Sequence, residues 1–156
     1  GAYEAVGIES PGLSAAPAIA EMLGKQIAEE NGLVKKPEWK PALKREKPFY
    51  AMTLEERAEV VGRNPEYGAL VCRCEQVTEA EIRAAIRRPV GARTIDAVKR
   101  RTRAGMGRCQ GGFCSPRVLE ILSEELKMDP TEITKCGGQS KLLVGTIAQA
   151  ARKGDA

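Results

Sequence analysis

Four of the five cysteines fall into two short motifs, Val71-Cys72-Arg73-Cys74-Glu75 and Gly107-Arg108-Cys109-Gln110-Gly111-Gly112-Phe113-Cys114-Ser115-Pro116, which read as C-x-C, 34 residues, then C-x4-C. Thiolates are soft ligands, and four of them suit an iron–sulfur cluster or a zinc ion. Structural zinc sites space their paired ligands by about two to four residues. C-x4-C fits that range and C-x-C is unusual for it, so the spacing favours a redox cluster over a zinc-stabilised interaction module with no redox role. A third reading packs the cysteines as small hydrophobes with no ligand. Arg73 and Glu75 around the first pair, and glycines around the second, argue against a core face. Cys72 and Cys74 are too close in sequence to bridge each other without strain. The chain has no histidine, which removes imidazole ligation and imidazole catalysis. Cys136, beside Gly137-Gly138, has no sequence partner and reads as a free thiol.

The elements that must position these motifs are marked by caps. Thr53-Leu54-Glu55-Glu56 and Thr78-Glu79-Ala80-Glu81 are capping boxes. The first predicts a helix ending at Gly62, and the second one that buries Ile82, Ala85 and Ile86 and stops at Pro89. Asn64-Pro65-Glu66-Tyr67-Gly68 reads as a turn before a short extended run, Ala69-Leu70-Val71. Thr94 caps a helix with Ile95 and Val98 inward, Gly105 and Gly107 break the chain, and Ser115 before Pro116 predicts a new helix with Ser115 as its cap. That helix would bury Val118, Ile121, Leu122 and Leu126. Asp129-Pro130-Thr131-Glu132 starts a further turn, and Leu142 to Arg152 a last helix. Both cysteine pairs thus precede helix N-termini, where free amides and the positive dipole end favour negative charge. A four-thiolate 2Fe–2S core carries about two negative charges, rising to about three on reduction. Amides of Gly111 and Gly112, and the arginines 73, 101, 103 and 108, are expected to offset that charge.

Residues before the motifs are organised differently. Tyr3 to Ile8 reads as the end of a strand, Glu9-Ser10-Pro11-Gly12 as a turn, and Ser14 to Asn31 as a helix capped by Ser14. Ala16, Ile19, Ala20, Leu23 and Ile27 make one apolar stripe. A lone strand-turn-helix cannot bury it, so the chain, which opens on Gly1, is read as a piece of a longer protein. Residues 34–52 carry Pro37, Pro41 and Pro48 among lysines and arginines, an extended linker pinned by Trp39, Phe49 and Tyr50.

Composition sets outer bounds. In 156 residues, 42% are hydrophobic and 4% aromatic, so the core must be aliphatic. No apolar run approaches the roughly 18 residues of a membrane span, and no signal peptide is visible. An odd cysteine count and no leader predict a cytoplasmic protein with reduced thiols. The net charge of +4 is mild. The run from Lys99 to Arg108 reads as a solvated face, and no nucleic-acid partner is expected.

The motif Cys72-Arg73-Cys74-Glu75, the helix at Thr78-Glu79-Ala80-Glu81-Ile82, Thr94-Ile95-Asp96, Lys99-Arg100-Arg101-Thr102, and Gly107 to Cys114 together resemble the 2Fe–2S domain of the bacterioferritin-associated ferredoxin family over residues 70 to 140. The C-x4-C pair resembles the branch found at the C-terminus of FAD-dependent oxidoreductases of the anaerobic glycerol-3-phosphate dehydrogenase type. The resemblance implies a helical cluster domain with Cys72, Cys74, Cys109 and Cys114 as ligands. Gly7-Ile8-Glu9-Ser10-Pro11-Gly12-Leu13-Ser14 resembles the last FAD-contacting loop of D-amino-acid-oxidase-like flavoproteins, with Ser14 in place of the usual threonine. This implies FAD contacts by Gly7, Ser10, Gly12, Leu13 and Ser14 in the intact parent only, because no G-x-G-x-x-G follows a strand here.

The expected fold is therefore mostly α: a small helical 2Fe–2S domain with short turns over 53–152, a linker over 34–52, and a strand-turn-helix remnant of an FAD-binding domain over 1–33. Its expected role is to relay electrons from FAD through the cluster. Its partners would be the rest of the flavin dehydrogenase and a redox partner subunit. No residue here reads as catalytic, so the chain is not expected to act as an enzyme by itself.

Overall fold

The computed structural model describes residues 2–38, 46–145 and 147–148. The chain divides into two compact units, Gly1–Arg45 and Glu46–Ala156.

In the first unit, helix α1 spans Gly12–Glu30. Residues 2–9 form no strand: an extended segment gains ladder bonds only beside a second strand, and this unit supplies none among its described residues. Ser14 is not the cap. The helix begins at Gly12 after Pro11, and the Ser14 hydroxyl donates to the Pro11 carbonyl at 2.9 Å from inside the first turn. No residue of α1 is buried, so its apolar stripe has no cover within this unit.

The second unit holds α2 (Leu54–Arg63), β1 (Leu70–Cys72), β2 (Val77–Thr78), α3 (Glu79–Arg87), α4 (Ile95–Thr102) and α5 (Ser115–Leu126). The mostly helical expectation holds, apart from one small antiparallel hairpin, β1–β2. Both capping boxes form: Thr53 and Thr78 each accept the N–H three residues on, while Glu56 and Glu81 reach back to the cap N–H. Asp129 and Glu132 make a third box around a single turn at Pro130–Glu132. Thr94 caps α4 through Ala97 N–H.

The core is aliphatic and gathers where α3, α4 and α5 meet. Ile82 and Ile86, Val98, and Val118, Leu119, Ile121 and Leu122 pack with Ile133 and Val77. Arg83 ties α3 to α5 electrostatically. It pairs with Glu79 on its own helix and Glu125 on α5, both at 2.6 Å, and with Glu124. Arg117 of α5 answers with Glu79 at 2.9 Å. Burial favours the neutral acid at Glu79, but hydrogen bonds from Arg117 and Arg83 outweigh it and hold the carboxyl below its usual range.

The last residues of the expected linker are pinned at Phe49, as its aromatic suggested. Phe49 begins a short 3-10 turn, is buried, stacks on Tyr67 with ring centroids 6.4 Å apart, and lies under the Arg57 guanidinium. Its N–H donates to Glu81 at 3.0 Å. Residues from 46 onward thus group with the second unit, while Tyr50 is exposed. Trp39 lies outside the described residues, as do 146 and 149–152 of the expected helix over 142–152, of which 147–148 are helical. Residues 142–145 of that stretch are not helical. Instead, the segment after α5 folds back: Thr134 bridges Lys141, and the carbonyls of Thr134 and Lys135 accept the N–H groups of Ile95 and Asp96 at the start of α4.

Candidate metal centre

Each cysteine motif is held by backbone geometry fixed elsewhere. The first lies on the hairpin. Strand β1 ends at Cys72, paired with Val77, and the turn between carries Arg73, Cys74, Glu75 and Gln76. The strand returning from that turn ends at Thr78, which is fully buried and is also the cap of α3. One threonine therefore locks the cysteine hairpin to the core helix. The second motif follows α4, which closes on Arg103 in the left-handed region. The loop is braced by the Gln110 side-chain amide, which donates to the carbonyls of Met106 and Gly107. Cys114 is itself the residue before α5. Ser115, expected as the cap, sits one place inside the helix and makes no capping bond, so Pro116 takes the second helical position. The cysteine is thus nearer the helix start than the spacing suggested.

The two motifs meet. Cys74 Sγ lies 4.0 Å from Cys109 Sγ. The thiols of Cys72 and Cys114 also interact: burial first, then the neighbouring Cys72, pushes the Cys114 thiol up to about 11. The two motifs thus meet at Cys74 and Cys109, and the Cys114 thiol is influenced by Cys72 and, less, by Cys109. Two thiolates on one tetrahedral metal, at a metal–sulfur distance of about 2.3 Å, lie about 3.8 Å apart, close to the Cys74–Cys109 separation. Among the described residues no three metal-ligating side chains gather on one point.

Backbone donors fit the same purpose. Backbone hydrogen bonding from Phe113 and then Gly111, with Cys74 and Gly112 contributing less, holds the Cys109 thiol below its ordinary range, and the Gly112 N–H donates to the Cys109 carbonyl at 3.0 Å. Such a nest of amides stabilises a thiolate, and equally a sulfur that carries cluster charge. Glycine is required at the joint between the motifs. A Cβ added at Gly107 would overlap the Cβ of Cys74, and one at Gly111 would come within 2.6 Å of the Ser115 hydroxyl. The residues present fit a four-thiolate cluster.

Two sequence expectations are corrected here. Charged and glycine-rich neighbours argued against a core face, yet Cys72 and Cys114 are 2% and 3% exposed and belong to the hydrophobic core. The strand turns Cys72 inward while its neighbour Arg73 is exposed, and Cys114 lies one helical turn before the buried Val118. Cys74 is exposed and Cys109 half-buried. Nor do all four arginines face the sulfurs freely: Arg103 is paired with Glu75 at 2.6 Å, and Arg101 donates to the carbonyls of Ala97 and Val90. Arg73 and Arg108 are exposed, with no ion pair among the described residues. Cys136 stands apart, its thiol donating to Ser140 Oγ at 3.3 Å. The sequence reading missed the near-complete exposure of Phe113, for which adjacency to two glycines was the available signal.

Comparison with known proteins agrees with this geometry. Residues 70–124 match the family described as BFD-like [2Fe-2S] binding domain. A glycerol 3-phosphate dehydrogenase of Caloramator mitchellensis is 50% identical over 149 residues, which is 93% of this chain and 30% of that protein. An opine oxidase component of Rhizobium meliloti is 45% identical over 45% of the chain and 12% of its own length. A component of the anaerobic glycerol-3-phosphate dehydrogenase of Haloferax volcanii is 37% identical over 48% of the chain and 12% of its own length. The chain thus spans less than a third of each of these relatives. No solved structure matches it. Hairpin, glycine joint and the Cys74–Cys109 approach all lie within residues 70–124, the segment that matches the BFD-like [2Fe-2S] binding domain family.

Proposed function

We propose that this chain is the electron-transfer portion of a flavin-dependent dehydrogenase, with Cys72, Cys74, Cys109 and Cys114 as the four ligands of its 2Fe–2S cluster. The observation that carries the ligand assignment is the approach of Cys74 to Cys109 across the two motifs, at 4.0 Å, under a nest of backbone amides. When bound, such a cluster takes up and gives back electrons singly. The chain's own residues supply the rest. Cys72 and Cys114 anchor one side in the core, Gly107 permits the motifs to touch, and the amides of Gly111, Gly112 and Phe113 offset negative charge on sulfur.

The parent is proposed to be glycerol-3-phosphate dehydrogenase-like, on the strength of the relative that matches 93% of the chain. In that parent, residues 1–33 would close the FAD-binding domain, 34–52 would join it to the cluster domain with 46–52 already packed on that domain, and 53–152 would form the rest of it. Gly7, Ser10, Gly12, Leu13 and Ser14 would then lie against FAD. The positive φ of Gly7 and the exposed Leu13 at the first turn of α1 support a loop built to meet something outside this chain. Electrons would pass from FAD through the cluster to a redox partner subunit. Free thiols throughout, and no helix among the described residues long and apolar enough to cross a membrane, support a cytoplasmic site of action.

Anaerobic reconstitution with iron and sulfide tests the ligand set. The expected product is coloured, with about two irons per chain. Cys109→Ser should abolish the colour, and Cys136→Ser should leave it intact. A colourless chain holding one zinc would overturn the reading.

A further inference from the structure

The four sulfurs are not equally placed, and the difference points outward in one direction. Cys72 and Cys114 are sealed in the core, whereas Cys74 is exposed and Cys109 half-exposed. Electron transfer slows steeply with distance, so a partner gains by docking on the Cys74–Cys109 edge. That edge is furnished as an interface. Phe113, in the loop of the second cysteine motif one residue before Cys114, is 89% exposed. An aromatic ring held in water on a braced loop is a ready anchor, and interface hot spots favour such rings and arginines. Arg73 precedes Cys74 and Arg108 precedes Cys109; both are exposed and without an ion pair among the described residues. The single carboxylate within residues 71–76 and 105–116 is Glu75, and Arg103 neutralises it at 2.6 Å. The two cysteine motifs thus carry exposed arginines and one exposed aromatic ring, with their single carboxylate already neutralised.

We propose that Phe113 together with Arg73 and Arg108, the exposed residues of the two cysteine motifs, forms the docking surface of this chain for an electron-transfer protein with an acidic rim around an apolar contact. This rests on the cluster assignment above. One electron leaves the reduced cluster and reduces a one-electron centre in the partner, with no bond made or broken in this chain. The two arginines draw the partner in by long-range attraction, and Phe113 holds it.

Two haem proteins serve as probes: cytochrome b5, an acidic one-electron acceptor, and cytochrome c, a basic one. With the reconstituted chain, cytochrome b5 should bind with a Kd that weakens as salt rises and should take electrons from the dithionite-reduced cluster at a rate that falls in parallel. The double change Arg73→Glu and Arg108→Glu should weaken cytochrome b5 binding about tenfold or more at low salt and strengthen cytochrome c binding. Phe113→Ser should weaken cytochrome b5 binding about tenfold with the salt dependence unchanged, and Phe113→Leu should restore part of it. The visible spectrum should be the same in every variant. Equal binding of the two probes, or variants that leave both Kd values unchanged, would overturn the docking surface. A colourless preparation counts against the ligand set instead, and the Kd comparison, which needs no electron transfer, still decides the surface.

Discussion

At the scale of single residues, the site depends on atoms that are missing as much as on those present. Gly107 has no side chain, and that vacancy lets Cys74 approach Cys109. Gly107→Ala should therefore strip most of the cluster, read as iron per chain and visible absorbance, while far-ultraviolet dichroism stays near the wild-type value. Gly62→Ala, where an added Cβ meets nothing within 4 Å, should change neither. The buried thiol of Cys114 gives a second expectation. Its folded pKa is raised from 9.0 to about 11, first by burial and then by Cys72, so the folded metal-free chain favours the neutral thiol. That stabilisation is fully present below about pH 9 and is lost as pH rises toward about 11. Thermal melting of the metal-free chain should fall across that window, and Cys114→Ser should fall less steeply.

At the scale of elements, the α3–α5 contact is held by charges as well as by Ile82, Ile86, Ile121 and Leu122. Arg83 is largely buried and faces Glu79, Glu124 and Glu125. Arg83→Met would leave two half-buried carboxylates short of their main partner and should cost about 2–3 kcal/mol of stability, measured by urea unfolding. Glu79 and Glu125 are both held below the ordinary carboxylate value: at Glu79 the Arg117 and Arg83 bonds overcome burial, and at Glu125 the Arg87 bond leads. Because these folded values are depressed, the stabilisation is present above about pH 4.5 and lost as pH falls below it. Acid unfolding of the wild type should be steep there, and Arg83→Met should flatten it. The caps that bound these elements were legible in the sequence, because a threonine followed three residues later by glutamate solves a purely local problem of unpaired amides. The β1–β2 hairpin was not legible. Its second strand is two residues long, and it exists because the turn through Cys74 brings Val77 back beside Cys72.

At the scale of the whole chain, the boundary between units falls after Arg45, earlier than the linker end read at residue 52. Phe49 moves the line: once its ring is buried against Tyr67 and its N–H is bound to Glu81, the segment is part of the cluster unit. A fragment beginning at Glu46 should accordingly reconstitute the same visible spectrum as the full chain and melt within a few degrees of it. Loss of the cluster in that fragment would show that residues before 46 help to hold it.

The sequence by itself determined which atoms are available: four thiolates in two motifs with no imidazole to compete, glycines that leave room and amides beside them, and caps that start helices near each motif. These are local facts, written in residue type and short spacing. Only the tertiary structure decided that Cys74 comes to Cys109, that Cys72 and Cys114 are sealed while Cys74 and Cys109 face water, and that Phe113 is exposed. Such assignments arise from packing between segments more than thirty residues apart. The burial that turns one cysteine inward and its neighbour outward is a property of the assembled core, not of either motif alone.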